Sequence, residues 1–124
     1  MEPIKILIIE DDPTTCALLK TTLEMEGHQT AIVYDIENED ILALLNLEKP
    51  DILFLDFYLG AKGTLRYLAP IRNDDDWQQL PILMTSAIDH GQDCLAAGAS
   101  DFILKPFNWD DLIEKVNGVH EQTT

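Results

Sequence analysis

The chain has 124 residues and carries 8 Lys and Arg against 23 Asp and Glu, which gives a formal net charge of −15 at pH 7. A chain of this length suits one hydrophobic core, so we predict a single domain over residues 1–124. Binding to nucleic acid and to anionic lipid surfaces both need cationic side chains, so this composition excludes direct nucleic-acid binding and membrane association.

Five short apolar runs predict β-strands, and segments with helical spacing or capping residues alternate with them. The first helix is predicted to begin at Pro13, with Asp12 as its N-cap, and to stop at Gly27. The last helix is predicted to follow Asn108 as its N-cap. The predicted strands cover residues 4–9, 30–34, 52–55, 82–84 and 102–104, and the helices between them cover residues 38–48, 63–72 and 88–97.

The alternation of strand and helix favours an α/β fold in which helices cover both faces of a parallel sheet, giving three layers. Pro70 lies inside the third predicted helix and is expected to kink or shorten it. His28, His90 and His120 share no motif, and we expect all three at the surface.

Cellular location and cysteine chemistry follow from what the sequence lacks. Its apolar runs are too short to cross a bilayer, and the first residues, "MEPIKILIIEDD", have no basic region or small-residue cleavage site. We therefore expect a cytoplasmic protein. Cys16 and Cys94 form neither a CxxC pair nor a metal-binding spacing, so we expect two reduced thiols that fill the core.

Charged and polar residues stand at the carboxyl ends of four predicted strands. Glu10 and Asp11 follow the first strand and Asp56 follows the third. Ser86 follows the fourth strand and Lys105 follows the fifth. Ligand sites in open parallel sheets lie outside the carboxyl ends of the strands, so we expect these five residues to converge.

Three clustered carboxylates are expected to hold extra protons or to bind cations. Two carboxylates about 4 Å apart repel by roughly 4 kcal/mol at an effective dielectric constant of 20. One divalent metal together with Lys105 balances the three charges, and ligation by oxygen alone suits Mg²⁺ or Mn²⁺. In such a site Asp56 can attack phosphorus to give an aspartyl phosphate, whose oxygens Lys105 and Ser86 stabilise.

Four motifs, in this order and at this spacing, resemble the receiver domain of two-component response regulators over nearly the whole chain. They are "IIEDDP", "DILFLD", "PILMTSA" and "GASDFILKPF". The resemblance implies a flavodoxin-like, doubly wound (βα)5 fold with sheet order 2-1-3-4-5. It also implies phosphoryl transfer from a sensor histidine kinase or a histidine phosphotransfer protein, with output through an effector domain or a homodimer.

The resemblance assigns the metal ligands and the phosphoacceptor by position. Glu10 and Asp11 match the acidic pair that holds Mg²⁺, Asp56 matches the phosphoacceptor, and the backbone carbonyl of Tyr58 matches a further metal ligand. Because Tyr58 and Ile88 are bulky and flank the site, we expect water to reach the phosphoryl group slowly and the phosphate to be long-lived.

The resemblance also assigns the switch residues. Ser86 matches the switch hydroxyl, Phe102 the aromatic switch residue, and Lys105 the phosphate-pairing lysine, whose bond to Pro106 is expected to be cis. Two departures concern the surroundings. Gly60 stands where the family usually has proline, and the interval between Ser86 and Lys105 is short, so we expect a short or irregular fourth helix.

Three alternatives compete with the phosphorylated switch. A constitutive interaction module on the same fold would need no intact site, whereas all five site residues are present. Phosphatases of the haloacid dehalogenase type carry the motif D-x-D after a strand. Here Tyr58 occupies the second position after Asp56, so the general acid of that motif is missing. A flavodoxin would cradle a phosphate after the first strand, where Glu10 and Asp11 would repel it.

Overall fold

A computed structural model describes residues 3–122 of the chain. Its five-stranded parallel sheet has the order β2-β1-β3-β6-β7, and β4 and β5 form a separate antiparallel hairpin. With the hairpin set aside, this is the predicted order 2-1-3-4-5, and the fold class is confirmed. The strands are β1 (Lys5–Ile9), β2 (Gln29–Val33), β3 (Ile52–Asp56), β4 (Tyr58–Leu59), β5 (Lys62–Gly63), β6 (Ile82–Ser86) and β7 (Asp101–Leu104).

Three of the five helices in the described part of the chain begin later than predicted. The second helix starts after Asp40, whose side chain accepts a hydrogen bond from the backbone N–H of Ala43. The third is confined to five residues around Pro70, because the preceding residues form the hairpin and a 3₁₀ turn. The fourth begins at Gly91 rather than at residue 88 and is short, as predicted. The helices are α1 (Pro13–Met25), α2 (Ile41–Glu48), α3 (Leu68–Arg72), α4 (Gly91–Ala97) and α5 (Trp109–Glu121).

The core has two halves because successive residues of a strand face opposite sides of the sheet. Ile6 and Ile8 of β1 join the half beneath α1 and α5, whereas Leu7 and Ile9 join the half beneath α2 and α3. All four side chains are fully buried. Burial of such a side chain contributes about 1.5–3 kcal/mol, so the sheet is a stable platform for residues at its edge.

Arg72 fastens α3 to its neighbours on one side of the sheet. Its guanidinium donates hydrogen bonds to the carbonyl oxygens of Gly98 at 2.8 Å, Leu80 at 2.7 Å and Gln78 at 3.1 Å. These carbonyls lie at the end of α4 and in the segment that leads to β6. One side chain therefore sets the spacing of α3, α4 and β6.

The cysteines are buried, as expected. The histidines do not lie at the surface as expected. Cys16 and Cys94 are both buried and free, and burial raises the pKa of each thiol to about 11. The prediction of surface histidines is wrong for His28, which is 7% exposed and accepts a hydrogen bond at Nδ1 from the Ile4 backbone. His90 and His120 are half-buried. Within residues 3–122, every helix is too short or too polar to cross a bilayer.

Candidate functional site

The parallel sheet brings the sequence-predicted site residues to one edge. Asp56 ends β3 opposite Thr85, and Ser86 ends β6 opposite Leu104. Glu10 directly follows β1 and Lys105 directly follows β7. Since all four strands run in the same direction, their polar ends meet where the sequence predicts a site.

Three carboxylates form the centre of the site. One oxygen from each of Glu10, Asp11 and Asp56 lies within 4.8 Å of the others. Glu10 is 1% exposed and Asp56 is 7% exposed, while Asp11 is exposed. Burial and the neighbouring Asp56 raise the pKa of Glu10 to about 7. The cluster therefore carries more negative charge than its surroundings stabilise.

Lys105 supplies the cation within this cluster. Its Nζ lies 2.9 Å from Glu10 Oε2 and 3.1 Å from Asp56 Oδ2. Burial acts against its charged form, but the two carboxylates outweigh burial and raise the pKa of Lys105. The backbone N–H of Lys105 donates to the Ser86 carbonyl at 2.9 Å, and the peptide bond to Pro106 is cis.

The β4–β5 hairpin, which was not predicted from the sequence, closes one side of the site. The backbone N–H of Gly60 donates to Asp11 Oδ2 at 2.6 Å, a bond that a proline at this position could not make. The backbone N–H of Tyr58 donates to Asp56 Oδ1 at 3.3 Å. Gly60 has a φ of +61°, which L-residues with a side chain rarely adopt. The two glycines in "GAKG" were the available signal for this turn.

The two hydroxyls at the end of β6 face different partners. Thr85 Oγ1 donates to the Ile103 carbonyl at 2.8 Å, so it is engaged within the sheet. Ser86 is 4% exposed, and its Oγ accepts a hydrogen bond from the Ile88 backbone at 3.3 Å. A hydroxyl that accepts one bond still has a proton to donate, so Ser86 remains available to an anionic oxygen.

His90 belongs to this region, although no sequence motif predicted it there. Its ring stacks on Phe57, with centroids 3.9 Å apart and planes 9° apart. Tyr58 meets both rings edge-on, at 4.7 Å from Phe57 and 5.9 Å from His90. Phe102 is half-buried on β7, and a Cβ built on Gly91 would lie 3.4 Å from its ring.

The donor set fits a hard divalent cation. Glu10, Asp11 and Asp56 offer only oxygen, which Mg²⁺ and Mn²⁺ prefer. Lys105 alone leaves part of the carboxylate charge unbalanced. Beside such a cation, Asp56 could act as a nucleophile toward phosphorus while Lys105 contacts a phosphoryl oxygen.

The chain is similar to known proteins in both sequence and fold. Residues 6–117 match the family model of the response regulator receiver domain. The chain is 30% identical to the transcriptional regulatory protein TrcR of Mycobacterium tuberculosis over 120 residues, covering 94% of this chain and 45% of the relative. It spans about half the length of the curated relatives it matches.

Two solved structures show the same fold. NtrX from Brucella abortus matches with a TM-score of 0.84 at 30% identity, over 98% of this chain and 28% of that one. The receiver domain of a histidine kinase from Syntrophus aciditrophicus matches with a TM-score of 0.82 at 27% identity, over 98% of this chain and 92% of that one. The second of these shows that a histidine kinase can carry a receiver domain of this shape.

Proposed function

The chain belongs to the response regulator receiver domain family, and on that premise we propose that it is a signalling switch controlled by phosphorylation of Asp56. A sensor histidine kinase or a histidine phosphotransfer protein donates the phosphoryl group. The observation that carries the proposal is the grouping of Asp56 with Glu10, Asp11 and Lys105 at the carboxyl edge of the sheet.

Asp56 is the best placed of the three carboxylates to accept the group. The side chain of Glu10 is almost completely buried, and Asp11 is tied to the hairpin through Gly60. Asp56 contacts both Lys105 and the Tyr58 backbone N–H, and these donors hold its carboxylate in one orientation. A nucleophile with a fixed orientation lowers the entropic part of the barrier.

In the transfer, an oxygen of Asp56 attacks phosphorus and forms an O–P bond as the P–N bond to the donor histidine breaks. The histidine nitrogen takes the bonding electron pair and then a proton. Mg²⁺ or Mn²⁺ held by Glu10, Asp11, Asp56 and the Tyr58 carbonyl would neutralise charge on the phosphoryl oxygens. Lys105 contacts one such oxygen, and the Ser86 hydroxyl donates a hydrogen bond to another.

Phosphorylation then acts on the neighbouring surface. Movement of Ser86 toward the phosphoryl group shifts the segment that leads into α4, and Phe102 on the adjacent strand responds. The result is a population shift between two states of this face. Its output goes to an effector domain or a homodimer, and we assign the protein to the cytoplasm, where such kinases deliver phosphoryl groups.

The test is intact mass after incubation with acetyl phosphate, with and without Mg²⁺. We expect the wild type to gain one phosphoryl group only when Mg²⁺ is present, and Asp56→Asn to gain none. Asp75→Asn, at an exposed aspartate outside the site, serves as the matched control and should behave as the wild type. A folded wild type that gains no mass would contradict the proposal.

A constitutive interaction module remains the second candidate, because α4 has only seven residues and the family's usual surface is altered there. In that case a partner would bind the wild type and Asp56→Asn with equal affinity, whatever the phosphoryl donor.

A further inference from the structure

We propose that His90 is a positioning residue for phosphoryl transfer at Asp56. Its ring, stacked on Phe57, docks the Ser86–α4 loop (residues 86–90) onto the residue that directly follows the phosphoacceptor. This inference rests on the proposed function and deepens it. It adds a residue outside the carboxylate site that prepares the site for transfer.

Phe57 connects the His90 ring to the phosphoacceptor, because it stacks on His90 and directly follows Asp56. It is 8% exposed, and its backbone N–H donates to the Thr85 carbonyl at 2.8 Å. The His90 ring lies almost parallel to the Phe57 ring at 3.9 Å, and the Tyr58 ring packs edge-on against both. Contacts between aromatic faces and edges add attraction beyond the apolar area they bury.

His90 is the point at which the Ser86–α4 loop is anchored. It immediately precedes α4, and its carbonyl accepts a hydrogen bond from the Cys94 backbone at 2.9 Å. Between Ser86 and His90, the side chains of Ala87, Ile88 and Asp89 are exposed. The side-chain hydrogen bonds described for this stretch are local, from the Ile88 N–H to Ser86 Oγ and from the Gly91 N–H to Asp89 Oδ1. The His90 ring therefore attaches the loop to Phe57, directly after β3.

The Nε2 atom of His90 does not explain the position of the ring. Within residues 3–122, His90 Nε2 is buried and has no hydrogen-bond partner. An unpartnered buried polar atom is unfavourable, so the favourable contribution must come from the face of the ring. A phenyl ring at this position would keep that face and remove the unpartnered nitrogen. Phenylalanine should therefore replace His90 without loss.

The same anchor reaches the expected switch residue on β7. Gly91 follows His90, and a Cβ added to it would lie 3.4 Å from Phe102 Cδ2. His90 and Gly91, at the start of α4, thus lie between Phe57, directly after β3, and Phe102 on β7. Docking of this loop before the phosphoryl group arrives removes an ordering cost from the transfer step.

The experiment compares His90→Ala, His90→Phe and a matched control on the same helix, Leu95→Ala, whose side chain is about half exposed. Amide hydrogen exchange over residues 86–97 is measured in the unmodified protein. The rate of phosphorylation by acetyl phosphate is measured at saturating Mg²⁺. We expect faster exchange in His90→Ala and phosphorylation slower by roughly 2- to 12-fold, the range expected for loss of one aromatic pair.

His90→Phe and Leu95→Ala should match the wild type in both measurements. Phe57→Leu removes the other ring while keeping the site apolar, and its effect should not add to that of His90→Ala. Unchanged exchange in His90→Ala, or a His90→Phe variant that behaves like His90→Ala, would overturn the inference alone. A wild type that accepts no phosphoryl group would instead overturn the proposed function, and the role in transfer with it.

Discussion

Lys105 Nζ lies 3.1 Å from Asp56 Oδ2, although 49 residues separate the two along the chain. The contact exists because β3 and β7 both end at the same edge of a parallel sheet, with β6 between them. Lys105 also contacts Glu10, so a single cation faces the two most buried carboxylates of the site. The proposed phosphoryl transfer to Asp56 depends on this arrangement.

Replacement of Lys105 by methionine should slow phosphorylation of Asp56 by about 10²-fold, the usual cost of removing one donor to a developing anion. Mg²⁺ affinity should not fall, because the variant removes positive charge from the metal site. Lys115→Met is the matched control, since Lys115 pairs with Asp101 away from the site. The rate of mass gain with acetyl phosphate measures the effect, and a wild-type rate in Lys105→Met would contradict the assigned role.

Mg²⁺ affinity should rise with pH up to about 7 and level off above it. The pKa of Glu10 is raised to about 7 in the metal-free protein, and Mg²⁺ binds only the ionised form. Calorimetric titration of the protein with Mg²⁺ at several pH values between 5.5 and 8.5 measures how the affinity depends on pH. In Glu10→Gln the rise near neutral pH should disappear; if it persists there, Glu10 is not its source.

The same raised pKa affects stability without metal. Glu10 is an acid whose pKa is higher in the folded state than its usual value of 4.5. The folded state therefore holds the proton more tightly than the unfolded chain, and the contribution of Glu10 to the free energy of unfolding falls as pH rises from about 4.5 to 7. Urea unfolding at several pH values should show that the free energy of unfolding of Glu10→Gln declines less over this pH range than that of the wild type.

Arg72→Met should lower the free energy of unfolding by about 2–4 kcal/mol, because three carbonyl oxygens lose a charged donor. Arg66→Met is the control: Arg66 forms an exposed ion pair with Glu39, which contributes about 0–1 kcal/mol. Chemical denaturation compares the two variants. Equal losses would show that the Arg72 hydrogen bonds do not fasten α3 to its neighbours.

Phosphate on Asp56 should be lost more rapidly in Tyr58→Asn than in the wild type. The Tyr58 side chain is 41% exposed beside the site and Ile88 is 63% exposed, so both can obstruct attacking water. Loss of mass after removal of the phosphoryl donor gives the rate. Met25→Asn changes an exposed apolar residue on α1 and should leave the rate unchanged. If Tyr58→Asn loses phosphate at the wild-type rate, Tyr58 does not obstruct the attacking water.

The sheet and the carboxylate site could be predicted because both have local signals. Apolar runs mark buried strands, and charged residues such as Asp56 and Lys105 directly after them mark the strand ends. The stack of His90 on Phe57 could not be predicted, since it joins residues 33 positions apart through ring faces that leave no sequence pattern. His28 was likewise misplaced, because its burial depends on a bond to a neighbouring strand end.

The central claim is that Asp56 itself carries the phosphoryl group, and chemical trapping tests it most directly. Borohydride reduces an aspartyl phosphate to homoserine and releases phosphate, so peptide mass spectrometry after treatment with acetyl phosphate and Mg²⁺ locates the modified residue. We predict homoserine at position 56, absent when Mg²⁺ is omitted. Homoserine at position 11 or elsewhere, with residue 56 unmodified, would contradict the account.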